Sequence, residues 1–192
     1  MKKPIFTLLY IMAIVVATCS CAACKNSNKA ANDSLYPDTV ALKGPTFSAD
    51  SAYAFTAAQC AFGARTMNSD AHRQCGEWIM RKFREYGMTV EAQDADLKGY
   101  DGTLLHSRNI IARFRPECST RILLCAHWDS RPWADNDPDS TNWRKPVMGA
   151  NDGASGVAVM LEVARLLKSD TTLRVGIDFV CFDAEDWGTP QW

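Results

Sequence analysis

Two carboxylates stand side by side in Phe182-Asp183-Ala184-Glu185-Asp186-Trp187-Gly188, directly after the apolar run Leu173 to Phe182. Adjacent acids can divide labour, one holding a metal ion while the other takes and returns a proton beside it. Two further clusters repeat the pattern. The apolar run Ile122 to Ala126 ends in His127-Trp128-Asp129, and Gly149-Ala150-Asn151-Asp152-Gly153 leads into an apolar helical segment. Taken alone, each has a plainer reading. Asp152 is then a helix cap with a turn, Glu185 and Asp186 are a solvated helix start, and His127 is a loop histidine beside an acid. Taken together, all three lie at element boundaries that can converge on one rim of a sheet, where open α/β sheets build their sites. Imidazole and carboxylate are donors that zinc accepts.

The elements that must position these residues are legible from spacing. Ser48 or Asp50 caps a helix through Tyr53, Ala57 and Ala61. Ser69 caps a second helix that ends at Gly87, with Cys75, Trp78, Ile79, Phe83 and Tyr86 on one core-facing stripe. Met88 to Ala95 and Ser107 to Phe114 read as strands joined by a turn around Gly99 to Gly102. Ile122 to Ala126 is nearly continuous in apolar residues, the pattern of a strand buried on both faces. Residues 131–148, rich in Trp, Pro, Asp and Asn, form a long loop of the kind that often carries function. Val157 to Leu167 is an apolar-faced helix and Arg174 to Phe182 a further buried strand. This order predicts an α/β fold with a mixed, mainly parallel central sheet and helices on both faces. A strand left in mid-sheet without a partner would expose an edge, so the chain reads as part of a larger domain.

The 192 residues carry a net charge of −1 with acids and bases interspersed, and no basic stripe points to nucleic acid. Lys2 and Lys3 precede the apolar run Ile5 to Ala17, which is short for a membrane span and reads as the core of a secretory signal. Ala22-Ala23-Cys24 is similar to a bacterial lipobox, with Cys19 and Cys21 as alternative lipidation sites. The expectation is a signal over residues 1–24, a polar tether over 25–45 and a catalytic region over 46–192. The protein would then be exported and lipid-anchored in the cell envelope, at the periplasm or outer membrane. Cysteine carries no functional signal. The five downstream thiols lack the CxxC spacing of a thiolate metal site, and Cys125 and Cys181 read as small buried hydrophobes.

The segments HWDSRPWAD (127–135), GANDGASG (149–156) and FDAEDWG (182–188) resemble the M28 family of zinc aminopeptidases and glutaminyl cyclases, and within it the Bacteroidetes-type cyclases. The resemblance implies Asp152 and Asp186 as zinc ligands and Glu185 as the general base. Many family members carry Glu where this chain has Asp186. His127 is implied as a ligand only in a two-zinc site, with Asp129 orienting it, and Trp187, Asp129 and His127 are implied at the substrate pocket. The family's last zinc ligand is a distant downstream histidine, a place that none of His72, His106 and His127 fills. On the resemblance, the chain reads as C-terminally truncated and inactive by itself.

The implied activity is glutaminyl-peptide cyclotransfer on peptides or proteins with N-terminal glutamine, using one zinc ion. The alternatives are a two-zinc M28 aminopeptidase and a non-catalytic surface lipoprotein that keeps the fold as a binding module.

Overall fold

The computed structural model describes residues 44–190. The signal segment 1–24, its candidate lipidation cysteines and most of the tether lie outside the described residues. Helix α1 spans Ala49–Cys60 and α2 spans Asp70–Glu85. They are followed by β1 (Thr89–Lys98), β2 (Leu104–Phe114) and β3 (Arg121–His127). Helix α3 (Gly156–Leu167) and β4 (Gly176–Phe182) complete the order. Both expected caps are made, as Ser48 Oγ accepts the Ser51 amide and Ser69 Oγ accepts the His72 amide, each at 3.1 Å. Each bond satisfies an amide that the first helical turn leaves without a partner.

The four strands form one mixed sheet in the order β1-β2-β4-β3. β1 pairs antiparallel with β2, and β2 antiparallel with β4. β3 runs parallel to β4, with His127 beside Phe182. Among the described residues the parallel section is therefore this one pair. It matters most for function, because the two strands that precede the candidate clusters end at the same rim.

One face of the sheet packs under α2 and α3. Ile79 and Phe83 of α2, Ile110 and Ala112 of β2, Val157 and Leu161 of α3, and Phe179 and Cys181 of β4 are fully buried. Each large apolar side chain so buried contributes about 1.5–3 kcal/mol. Phe83 meets Phe179 with ring centroids 5.3 Å apart, pinning α2 to the sheet centre. The aromatic stripe of α2 is core, as its spacing predicts. Trp78 and Tyr86 lie against Phe55 of α1 at 6.4 and 6.3 Å.

The opposite face differs from expectation. No described helix covers it, and among the described residues β3 is an edge strand rather than one buried on both faces. Ile122 is 48% exposed and Leu123 61% exposed. Cys125 is exposed too, whereas Cys181, one strand further in, is fully buried. A continuous apolar run reports what a strand could bury. Whether a layer lies over it depends on the rest of the fold.

Candidate metal centre

The parallel pairing of β3 with β4 sets His127 at the rim, followed on one side by Trp128 and Asp129 and on the other by the turn 183–187. Asp129 is fully buried and anchors that turn. Its carboxylate accepts the Glu185 amide at 3.3 Å and the Asp186 amide at 3.0 Å. It also lies 3.4 Å from His127 Nδ1. Asp129 thus sits beneath the site as a brace and does not line the substrate space where it was expected. Ala184 turns the chain with φ of 62°, which lets both neighbouring amides aim at one carboxylate.

The third cluster is delivered by a wound turn, Ala150–Ser155, that breaks its helical path at Asp152 (φ −88°, ψ 105°) and Gly153 (φ 88°). Asp152 is therefore not a cap for α3. The break swings its side chain to His127 Nε2, 2.8 Å away. Gly149 and Gly153 make the path possible. A Cβ at Gly149 (φ 61°) would lie 2.6 Å from the Asp152 carbonyl oxygen, and one at Gly153 would lie 2.7 Å from the Asp129 carbonyl oxygen and 3.1 Å from the His127 ring. Only glycine allows this approach.

Donor atoms of His127, Asp152 and Asp186 all lie within 4.8 Å of one another. Glu185 Oε2 is 3.7 Å from His127 Nδ1, and its side chain is 61% exposed. The structure thus draws His127, Asp152 and Asp186 into one group and leaves Glu185 open beside it.

The electrostatics fit a cation. Four carboxylates surround one imidazole. Burial, then the charges of Asp152 and Asp129, push the Asp186 carboxyl up to about 6, and the nearby His127 only partly offsets this. His127 is raised to about 9, first by Asp129 and then by Asp152, against the opposing effect of burial. Protons are retained where negative charge is in excess, and a divalent ion held by the same three donors would neutralise that excess. One imidazole and two carboxylates are also a donor set that zinc takes, with three protein ligands leaving a position open.

A space of about 290 Å³ adjoins Asp152 and Asp186 and is bounded by Arg131, Trp133 and Val147. Trp187 closes against Trp133 edge-to-face at 5.4 Å, and Tyr100 from the β1–β2 turn meets Trp133 at 6.0 Å. Of the loop tryptophans, Trp128 is core, 1% exposed and stacked on His72 at 4.2 Å. Trp143 is tied by its indole N–H to the Asp137 carbonyl at 2.7 Å.

Sequence reading missed two arginines that hold these loops. Arg65 is fully buried and donates to the carbonyls of Trp128, Met148 and Gly149 at 3.0, 2.9 and 2.7 Å. Arg131 grips Asp135 through two bonds of 2.6 Å and also donates to the Asp186 carbonyl at 3.3 Å. A single arginine among loop residues has no periodic signature, so spacing could not reveal Arg65. The i, i+4 placement of Arg131 and Asp135 was the available clue for the other.

A profile described as peptidase family M28 matches residues 109–189. The crystal structure of a Bacteroides thetaiotaomicron glutaminyl cyclase bound to N-acetylhistamine is similar at 51% identity and a TM-score of 0.76. The match covers 78% of this chain and 51% of that one. A Zn-dependent exopeptidase from Parabacteroides distasonis is similar at 51% identity and a TM-score of 0.75, covering 77% of this chain and 50% of that one. Aminopeptidase YwaD of Bacillus subtilis is 35% identical over 102 residues, 52% of this chain and 19% of that protein. The chain spans about half the length of these solved relatives. The three site-forming segments from β3 onward all lie inside the region that the M28 profile matches.

Proposed function

We propose that this chain is the metal-holding and proton-transferring part of a zinc-dependent glutaminyl-peptide cyclotransferase. The observation that carries the reading is Glu185, exposed and held by its backbone amide on Asp129, immediately beside the His127, Asp152 and Asp186 group. Asp152 and Asp186 would hold the ion. Bound there, zinc would supply Lewis-acid polarisation of the substrate's side-chain amide carbonyl. Glu185 accepts a proton as the α-amine of an N-terminal glutamine attacks the side-chain amide carbon. It then returns that proton to the departing nitrogen, which leaves as ammonia. Asp129 keeps Glu185 and Asp186 in register throughout. Trp133, with Trp187 packed against it, walls the space beside the acids and limits access of water, which the reaction does not consume. Glutaminyl cyclases among the relatives at about half identity support this reading.

One observation favours a second reading, a zinc aminopeptidase. His127 stands in the ligand group beside Asp152, and in a two-ion site both would serve as ligands. In that case Glu185 would take its proton from water. The Lys2-Lys3 start, the apolar run Ile5 to Ala17 and Ala22-Ala23-Cys24 make export and lipid anchoring in the cell envelope part of the proposal.

The test supplies the full-length protein of which this chain is a part with a peptide that begins with glutamine and, separately, with an aminopeptidase substrate. Pyroglutamyl product with ammonia release is expected. Release of a free amino acid without pyroglutamate would overturn the cyclase reading in favour of the peptidase.

A further inference from the structure

Trp187 directly follows the candidate base and ligand, yet it does not bound the space beside Asp152 and Asp186, whereas Trp133 does. Its indole reaches the tip of the β1–β2 hairpin instead. A Cβ built on Gly99 would stand 2.6 Å from Trp187 Nε1 and 3.0 Å from Asp101 Oδ1, so the indole rests on bare backbone beside a carboxylate. Gly99 does not take a positive φ. Glycine is therefore needed there for clearance under the indole and not for the path of the turn.

The seat is held by its own bonds. The Gly99 amide donates to the Thr103 carbonyl at 2.8 Å, and the Gly102 amide to the Gly99 carbonyl at 3.0 Å. The Asp101 carboxylate accepts the Thr103 amide at 3.0 Å and the Thr103 hydroxyl at 2.8 Å. These two bonds hold the Asp101 carboxyl below the usual carboxylate range, with a lesser contribution from the Trp187 indole. On its other side Trp187 meets Trp133, which also meets Tyr100 of the same hairpin. Arg131 lies 5.7 Å over the Trp133 ring and donates to the Asp186 carbonyl. The hairpin is thus joined to the acidic pair along two routes, through Trp187 and through Trp133 and Arg131. The Glu185 side chain is exposed, so its backbone decides where its carboxylate stands. We propose that the β1–β2 hairpin, through Gly99 and the indole of Trp187, positions Glu185 and Asp186. Trp187 is then a positioning residue and not a wall of the substrate space. The proposal rests on the reading of Glu185 as base and Asp186 as ligand, but holds equally for a cyclase and a peptidase.

The test compares Gly99→Ala, Trp187→Phe and the double variant in the full-length protein of which this chain is a part. Zinc affinity is read with a competitive indicator. Kinetics are read on whichever substrate the wild type turns over, the glutamine-initiated peptide or the aminopeptidase substrate. Gly99→Ala adds one methyl under the indole. It should weaken zinc about tenfold and lower kcat about tenfold or more, with KM held within about twofold. A wall residue would do the reverse, raising KM and sparing kcat. Phenylalanine lacks the indole N–H that meets Gly99. In the Trp187→Phe background, Gly99→Ala should therefore add little, because both changes act through one contact. Trp187→Phe alone should lower kcat and zinc affinity in the same sense, and it carries the test if Gly99→Ala does not fold. A rise in KM at constant kcat, unchanged zinc affinity and kcat, or equal losses from Gly99→Ala with and without Trp187 would each overturn the proposal. If the wild type turns over neither substrate, the cyclase and peptidase readings both fail, and zinc affinity alone decides whether the hairpin positions Asp186.

Discussion

The buried carboxylate of Asp129 accepts the backbone amide of Asp186 at 3.0 Å, so a residue on the β3 side of the rim sets the position of a candidate ligand on the β4 side. The Glu185 amide bonds to the same carboxylate. One side chain therefore orients the candidate base and the candidate ligand together.

Asp129→Asn keeps the size of this brace but turns one acceptor into a donor that faces backbone N–H groups. The expected cost is about 1–3 kcal/mol of stability and about 10–100-fold in zinc affinity. Denaturant titration and a competitive zinc indicator measure the two effects separately. Unchanged zinc affinity would show that the turn holds its shape without Asp129.

Glu185→Gln preserves shape but cannot move a proton. Turnover should fall by about 10²–10⁴-fold or more, while zinc content, read by atomic emission, stays at the wild-type level. Asp186→Ala should lose the metal instead. Loss of zinc from Glu185→Gln would make Glu185 a ligand and reverse the assignment.

Zinc binding through His127 should release a proton near pH 7.5, because the metal-free histidine holds its proton up to about 9. Asp186, raised to about 6, has mostly lost its proton by then and adds little. Affinity should therefore strengthen by up to about tenfold per pH unit between pH 7 and 9 if His127 is a ligand. Without zinc the sign is opposite. Both raised values favour the protonated fold, so stability falls as pH rises through about 4–6 for Asp186 and 6.5–9 for His127. Calorimetry in buffers of different ionisation enthalpy counts the proton. No proton release at pH 7.5 would exclude His127 from the metal.

Arg65→Met would leave the carbonyls of Trp128, Met148 and Gly149 without their donor. A loss of about 3 kcal/mol or more is expected, along with loosening of the Gly149–Gly153 path that aims Asp152. Urea denaturation gives the first effect and zinc affinity the second.

Thiol labelling separates the two strand cysteines. Cys125 is exposed and should react with a thiol reagent at pH 8 in the native protein. Cys181 and Cys75 should not react. Burial raises both thiols, Cys75 to about 12, so almost no thiolate forms at either. Rapid native labelling of Cys75 would contradict the packing of α2 on the sheet.

The sequence by itself determined the helices, the strands and the three clusters, because these depend on local rules. Ser48 and Ser69 cap helices by bonding amides three residues on, and the α2 stripe follows helical spacing. The turn near Gly99 and the strand ends before His127 and Asp183 are marked by residue type within a few positions. The tertiary structure decided what depends on partners far apart in the chain. Antiparallel pairing of β2 with β4 and the bare outer face of β3 follow from strand order, which no local pattern encodes. The burial of Asp129 beneath the turn and the grip of Arg65 on three loop carbonyls arise because hydrogen bonds between distant segments form only once the core has brought those segments together. The break at Asp152 and Gly153 belongs to the same class. Asn-Asp-Gly before a helix suits a cap equally well, and the close approach of His127 and the Asp129 carbonyl to Gly153 fits the bent path instead.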